Sequence, residues 1–164
     1  MTSTTIQSGD GVSAPQRALR VLLYSDDVDT RTQVRLAIGT RPAADLPVVE
    51  WTECATAAAV IAQVDAGGLD LLVLDGEATP VGGLGLCKQL RDEFRPGRPV
   101  TGAPGASSRH VASGEFPPVL VLTGRAQDAW LATWSGADLA VAAPLDPLVL
   151  AQSLATLARR RLEQ

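Results

Sequence analysis

Several short apolar runs in this chain stop abruptly at a polar residue and give way to a loop. Leu71-Leu72-Val73-Leu74 ends at Asp75, before Gly76-Glu77-Ala78-Thr79-Pro80. Val21-Leu22-Leu23-Tyr24 ends at Ser25-Asp26-Asp27, and Val119-Leu120-Val121-Leu122 ends at Thr123-Gly124. Runs this short and this uniformly apolar, alternating with helical patterns, predict strands of a parallel sheet buried on both faces. In such sheets ligands collect outside the carboxyl ends of the strands. If the three strands are neighbours, Asp26, Asp75 and Thr123 meet at one edge. Carboxylates gathered there point to a divalent cation and a nucleophilic aspartate.

The intervening segments supply the helices. Asp29 or Thr30 is placed to cap a helix carrying Val34, Ala37 and Ile38 on one face, ended by Gly39 and Pro42. Val48 to Cys54 reads as a second strand, and Ala55 to Ala66 as a helix with Ala57, Val60, Ile61 and Val64 inward. Gly67-Gly68 stops it. Leu84 to Phe94 reads as a helix burying Cys87, Leu90 and Phe94. A helix carrying Trp130, Leu131 and Trp134 follows the fourth strand, with one tryptophan expected in the core and one on the surface. Leu139 to Ala143 is a weak fifth strand. Asp146-Pro147 suits an N-cap and first turn, opening a helix with Leu150, Leu154 and Leu157. Its last turn carries Arg159-Arg160-Arg161, read as a solvated helix end that the dipole favours. The pattern predicts a doubly wound (βα)₅ fold, a five-stranded parallel sheet in the order 2-1-3-4-5.

Two segments fall outside this rhythm. Residues 1–18 lack periodicity and read as a disordered tail, leaving 19–164 as the domain. Residues 96–116, rich in Pro, Gly and Ser, read as a flexible insertion. His110 sits in that insertion without nearby ligands. Composition narrows the function classes. The chain has 164 residues, 46% of them apolar, enough for one domain with a real core. Its 18 acidic and 14 basic side chains give no footprint for nucleic acid. Cys54 and Cys87 lack metal or redox spacing, which fits a reducing cytoplasm. No apolar run is long enough to span a bilayer, and no signal peptide is evident.

Four pieces in this order make the chain resemble the receiver domain of bacterial two-component response regulators, the CheY-like fold. VLLYSDDVDTR looks like the family's first strand and acidic cluster. LDLLVLDGEATPVGGLGLCKQLR looks like its third strand, phosphoacceptor and following helix. VLVLTGRAQD looks like the fourth strand, and GADLAVAAPLDPLVLAQSLATLARR like the fifth strand and last helix. The resemblance implies that Asp75 is the phosphoacceptor and Thr123 the switch hydroxyl. It implies Mg²⁺ held by Asp26, Asp75 and the Glu77 backbone carbonyl. It also implies a histidine kinase as phosphodonor.

Three positions depart from the family's pattern. Ser25 stands where the first acid is expected, Ala143 where the lysine is, and Ala140 where the aromatic switch is. If the register slips by one, Asp27 joins Asp26 and the departure at Ser25 disappears. Arg125 could partly replace the lysine, although an exposed arginine at a helix start is the plainer reading. A charge-assisted contact missing at the transition state costs roughly 3 kcal/mol, about a hundredfold in rate. An atypical receiver follows, with weak Mg²⁺ binding and phosphorylation at Asp75 weak or absent. It would be non-enzymatic and cytoplasmic and would act through a protein partner. The expected contact surface is the fourth helix, fifth strand and fifth helix, with homodimerisation a further option. The alternative is a working phosphoacceptor of a two-component phosphorelay. The run Asp75-Gly76-Glu77-Ala78-Thr79 also resembles the DxDxT motif of haloacid-dehalogenase-type phosphatases, without their later lysine and acidic pair. A flavin or cobalamin module would need a phosphate loop or a DxHxxG-like histidine, and neither is present. No helix-turn-helix follows the last helix, so a stand-alone receiver without direct DNA binding is expected.

Overall fold

The computed structural model describes residues 16–94 and 115–164. The tail expected to be disordered and the expected insertion, with His110, lie almost wholly outside the described residues. Five parallel strands, β1 (Leu19–Tyr24), β2 (Val49–Cys54), β3 (Leu71–Asp75), β4 (Val119–Thr123) and β5 (Leu139–Ala142), stand in the order β2-β1-β3-β4-β5. They alternate with α1 (Val28–Ile38), α2 (Ala57–Ala66), α3 (Gly83–Glu93), α4 (Ala129–Ser135) and α5 (Pro147–Leu162). A single 3₁₀ turn, Ala126–Asp128, precedes α4.

The unbroken apolar runs are explained by the pleat. Alternate side chains of one strand face opposite sides. Leu19, Val21 and Leu23 of β1 and Leu71 and Val73 of β3 pack with Val34, Ile38, Leu150, Leu154 and Leu157 beneath α1 and α5. Leu22, Tyr24, Leu72 and Leu74 pack with Val60, Val64, Leu86, Cys87 and Leu90 beneath α2 and α3. With both faces covered, β1, β3 and β4 have no face left for polar residues except at their ends. The edge strand β2 has one covered margin only, so it carries Glu50 and Glu53.

Several local expectations are corrected. The N-cap of α1 is Asp27, and neither Asp29 nor Thr30 fills that place. The Asp27 carboxylate accepts from the amides of Asp29 (3.0 Å) and Thr30 (3.3 Å) and from the Thr30 hydroxyl (2.8 Å). Both tryptophans of α4 are outside, Trp130 at 66% and Trp134 at 55% exposure. This helix has only seven residues, and the small side chains of Ala132 and Ser135 occupy its buried face. Phe94 is half-buried because the chain leaves α3 there; its ring meets Phe116 edge-on at 4.7 Å. The arginine run at the end of α5 is more than a solvated terminus. Arg159 holds Asp45, in the α1–β2 loop, with two bonds of 2.8 and 2.9 Å.

Candidate functional site

The carboxyl ends of β1, β3 and β4 form the expected edge. Tyr24 pairs with Leu74 and Asp75 with Leu122, so Ser25, Asp75 and Thr123 stand side by side one residue further on or at the strand end. All three are buried: Ser25 at 0%, Asp75 at 7% and Thr123 at 3% exposure. The Ser25 hydroxyl donates to Asp75 Oδ2 at 2.7 Å, and the Glu77 amide donates to Oδ1 at 2.9 Å. Each carboxylate oxygen of Asp75 therefore accepts a bond from its own chain. The Thr123 hydroxyl donates to the Arg125 carbonyl at 3.2 Å. Arg31 donates to the Ser25 carbonyl at 2.6 Å, fixing the end of β1 from α1.

The other two aspartates turn elsewhere. The Asp26 carboxylate accepts from the Thr79 amide (3.1 Å) and hydroxyl (2.8 Å), joining the β1–α1 loop to the β3–α3 loop. These bonds, the hydroxyl's first, hold the Asp26 carboxyl below its ordinary pKa. Asp27 spends its carboxylate on its own helix, and the Thr30 hydroxyl and Asp29 amide likewise lower its pKa.

The loop after Asp75 is pinned from three sides. The Tyr24 hydroxyl donates to the Val81 carbonyl at 2.5 Å. Burial, with the charges of Asp26 and Asp75 behind it, pushes that phenol's pKa up. The Gly76 amide donates to the Leu122 carbonyl at 2.7 Å, and the Gly124 amide to Glu77 Oε1 at 3.2 Å. The α3 helix then starts hard against the strand it follows. A Cβ at Gly83 would come within 2.6 Å of the Asp75 carbonyl oxygen, so only glycine fits.

Arg31 reaches this edge at the Ser25 carbonyl, whereas Lys88 and Arg125 pair with carboxylates of their own. Lys88, the chain's one lysine, lies on α3 and pairs with Asp92 at 2.8 Å. Arg125 pairs with Asp128 at 3.3 Å. Ala143 is exposed and brings no charge, and Ala140 is half-buried in β5. Receiver domains generally bind Mg²⁺ at this place. The donor set here suits that ion poorly. Among the described residues no three His, Cys, Asp or Glu side chains converge on a common point. Magnesium requires near-octahedral oxygens at about 2.0–2.1 Å. Here one expected carboxylate is a neutral hydroxyl that donates to Asp75, and a second is clasped by Thr79.

The structure places Asp75 and Thr123 at the ends of β3 and β4, as the sequence pattern predicts, and Asp26 in the β1–α1 loop, bonded to Thr79. Sequence reasoning missed Thr79 as the partner of Asp26, the Tyr24 hydroxyl, and the Glu77 side chain. Those contacts join residues 47 to 57 positions apart, and no local pattern announces them.

A five-stranded parallel sheet in this order, with a buried aspartate at the end of β3 and a threonine at the end of β4, defines a CheY-like receiver domain. Similar proteins place the chain more narrowly. Uncharacterized response regulatory proteins of two Mycobacterium tuberculosis strains are 47% identical to it over 142 residues, which is 87% of this chain and 92% of each relative. The chain belongs to the response regulators of two-component systems. No protein-family model matches it. Solved structures carry the fold. A CheY-like receiver domain protein from Methanospirillum hungatei superposes with TM-score 0.63 at 17% identity, over 90% of this chain and 98% of that one. The Vibrio cholerae chemotaxis protein CheY4 gives TM-score 0.61 at 17% identity, over 86% and 99%.

Proposed function

We propose that this response regulator signals by protein–protein contact, as an atypical receiver in which phosphorylation at Asp75 is weak or absent. The observation that carries the reading is the bond from the buried Ser25 hydroxyl to Asp75 Oδ2, at 2.7 Å. Where the family resemblance leads one to expect an acid that recruits a cation, the chain has a neutral group that satisfies Asp75 internally. Ala143, in the place of the lysine, supplies no counter-charge for a phosphoryl group. Magnesium binding through Asp26, Asp75 and the Glu77 carbonyl is weak in this reading, because the ion has to draw Asp26 away from Thr79. A switch needs an interaction that differs between its two states. Ala140 and Ala143 remove two such interactions, so the site holds one conformation.

The output surface in this reading is α4–β5–α5. Trp130 and Trp134 stand exposed on α4, and the groove of about 420 Å³ that Trp134 borders lies on the α3 side of that surface, with Lys88, Arg91 and Asp138. Exposed tryptophans beside a groove are common anchors of interfaces. Receiver domains interact with histidine kinases and other proteins, and homodimerisation through this surface is a variant of the same reading.

The rival reading is an ordinary phosphoacceptor. Asp75 and Thr123 at adjacent strand ends favour it. Incubation with magnesium and acetyl phosphate, or with beryllofluoride, separates the two, followed by intact mass and tryptophan fluorescence. The expected result is little modification and no spectral change. Stoichiometric modification lost in Asp75→Asn would establish the phosphoacceptor instead.

A further inference from the structure

We propose that the α3–α4 face binds a second copy of this chain, α3 antiparallel to α3 about a two-fold axis, with Lys88 of each copy against Asp92 of the other. The inference rests on the reading of output by protein contact and names the partner and the face. Trp130 and Trp134 lie four apart on α4 and stand 66% and 55% exposed. The fold does not need them there, since Ala132 and Ser135 occupy the buried side of that helix. Trp134 borders the groove between α3 and α4, whose lining also holds Lys88, Arg91, Asp92 and Asp138. Two of those four side chains are basic and two are acidic, so the groove draws in neither a strongly acidic nor a strongly basic partner. A surface whose charges balance within itself can match its own copy, as a two-fold interface requires.

The order of the charges along α3 supplies that match. Lys88 and Asp92 are four apart, hence on one face of the helix, with side chains 34% and 38% exposed. Take an antiparallel helix pair whose two-fold passes at the level of Leu90. The residue two places before that level faces the residue two places after it. Lys88 of each copy then meets Asp92 of the other, twice over. Gly85 lies on the same face, three residues before Lys88, and is exposed. Glycine weakens a helix interior, and a Cβ there would meet no described atom within 4 Å. Packing within the chain therefore does not call for glycine at this place, whereas the close approach of a second helix does. Arg91 stays with its own chain, bonding Asp138 at 2.6 Å and covering the Phe116 ring at 4.5 Å. The area agrees with a second copy. At their exposures the two tryptophans leave on the order of 300 Å² uncovered on each copy. A stable interface takes about 800 Å² from each partner, so the tryptophans supply roughly a third and the α3 ridge adjoins them. Their burial provides the attraction; the charges fix the register.

The test is sedimentation velocity on the full chain over a concentration series, without phosphodonor. Wild type should move towards twice the monomer mass as concentration rises. Trp134→Ala should weaken the dimer by more than about tenfold. Lys88→Glu leaves two acids on the α3 ridge and Asp92→Lys leaves two bases. Each variant alone should dimerise about tenfold more weakly than wild type, or worse. Mixed one to one, the two should recover a dimer, because an acidic ridge then faces a basic one. Val149→Glu, on exposed α5 surface, should leave the dimer unchanged. Circular dichroism checks that each variant is folded; should Trp134→Ala not fold, the charge variants and their mixture decide. A dimer lost in Val149→Glu and indifferent to both charge reversals would overturn the α3–α4 face and leave output by protein contact standing. Failure of the mixture to recover what each variant lost would overturn the antiparallel pairing. Wild type that stays monomeric and is not modified by acetyl phosphate would overturn the dimer alone. A monomer that acetyl phosphate modifies stoichiometrically at Asp75 would overturn the dimer and the weak-phosphoacceptor reading together.

Discussion

At the opposite end of the sheet from Asp75, Asp70 shows what a single carboxylate can hold. It is buried, and it accepts two bonds from Arg17 (2.7 and 2.8 Å) and one from the Arg20 amide (2.8 Å). Burial pushes its pKa up; the Arg17 and Arg20 hydrogen bonds and the Arg17 charge outweigh that and leave it below the ordinary value. Its stabilisation is therefore complete above the ordinary carboxylate pKa and is lost as pH falls through the lowered one. Asp70→Asn should cost about 1–3 kcal/mol at neutral pH and flatten the acid limb of the stability profile below about pH 4. Urea unfolding at a series of pH values checks both. A second residue-scale prediction concerns Ser25. Ser25→Asp would put two buried carboxylates in contact, and one of them must keep a proton. The pair is tolerated at low pH, and destabilisation grows as pH rises from the ordinary carboxylate value towards the raised one. At neutral pH the loss should be about 1–3 kcal/mol. Magnesium should recover part of it, raising the melting temperature of the variant more than that of wild type. Equal shifts in the two proteins would mean that Ser25 does not set the site's affinity for the ion.

Among the elements, α1 and α3 depend on their first residues in different ways. The start of α1 relies on the Asp27 side chain, so Asp27→Ala should lower stability by about 1 kcal/mol in urea unfolding. The start of α3 relies on the absence of a side chain. At Gly83 an added methyl would meet the Asp75 carbonyl at 2.6 Å, and backbone cannot move aside as a flexible side chain can. Gly83→Ala should cost about 1–3 kcal/mol and displace the loop that carries Glu77. A fully neutral substitution would show that this junction is looser than its contacts indicate. The short α4 makes the opposite point. Packed through Ala132 and Ser135, it needs neither tryptophan for its core.

For the molecule as a whole, that last point separates stability from recognition. Trp130→Ala and Trp134→Ala should each leave the urea midpoint within about 0.5 kcal/mol of wild type. Binding of a protein partner through α4–β5–α5 should weaken by more than about 1 kcal/mol, measured by titration calorimetry. A large stability loss with unchanged binding would move the recognition surface elsewhere. Among the described residues no helix is long and apolar enough to cross a membrane.

The order of strands and helices, both buried faces and the placing of Asp75 and Thr123 were legible in the sequence, because they follow from local periodicity. A run such as Leu71 to Leu74 is apolar at every position only when both faces are covered, and a polar residue can follow only where the strand leaves the core. The cap of α1 was misplaced by two or three residues, since Asp27, Asp29 and Thr30 are all chemically able to cap and only the path of the loop selects one. The inward tryptophan was misjudged because spacing defines a helix face and leaves open which face packs. At the site itself the partners of Asp26, Glu77 and Tyr24 were decided by tertiary structure alone. Each contact joins strand ends or loops about fifty residues apart, and such hydrogen bonds depend on where the sheet brings those segments together. The sequence by itself determined which groups reach this edge; the assembled sheet determined which of them were left free to act.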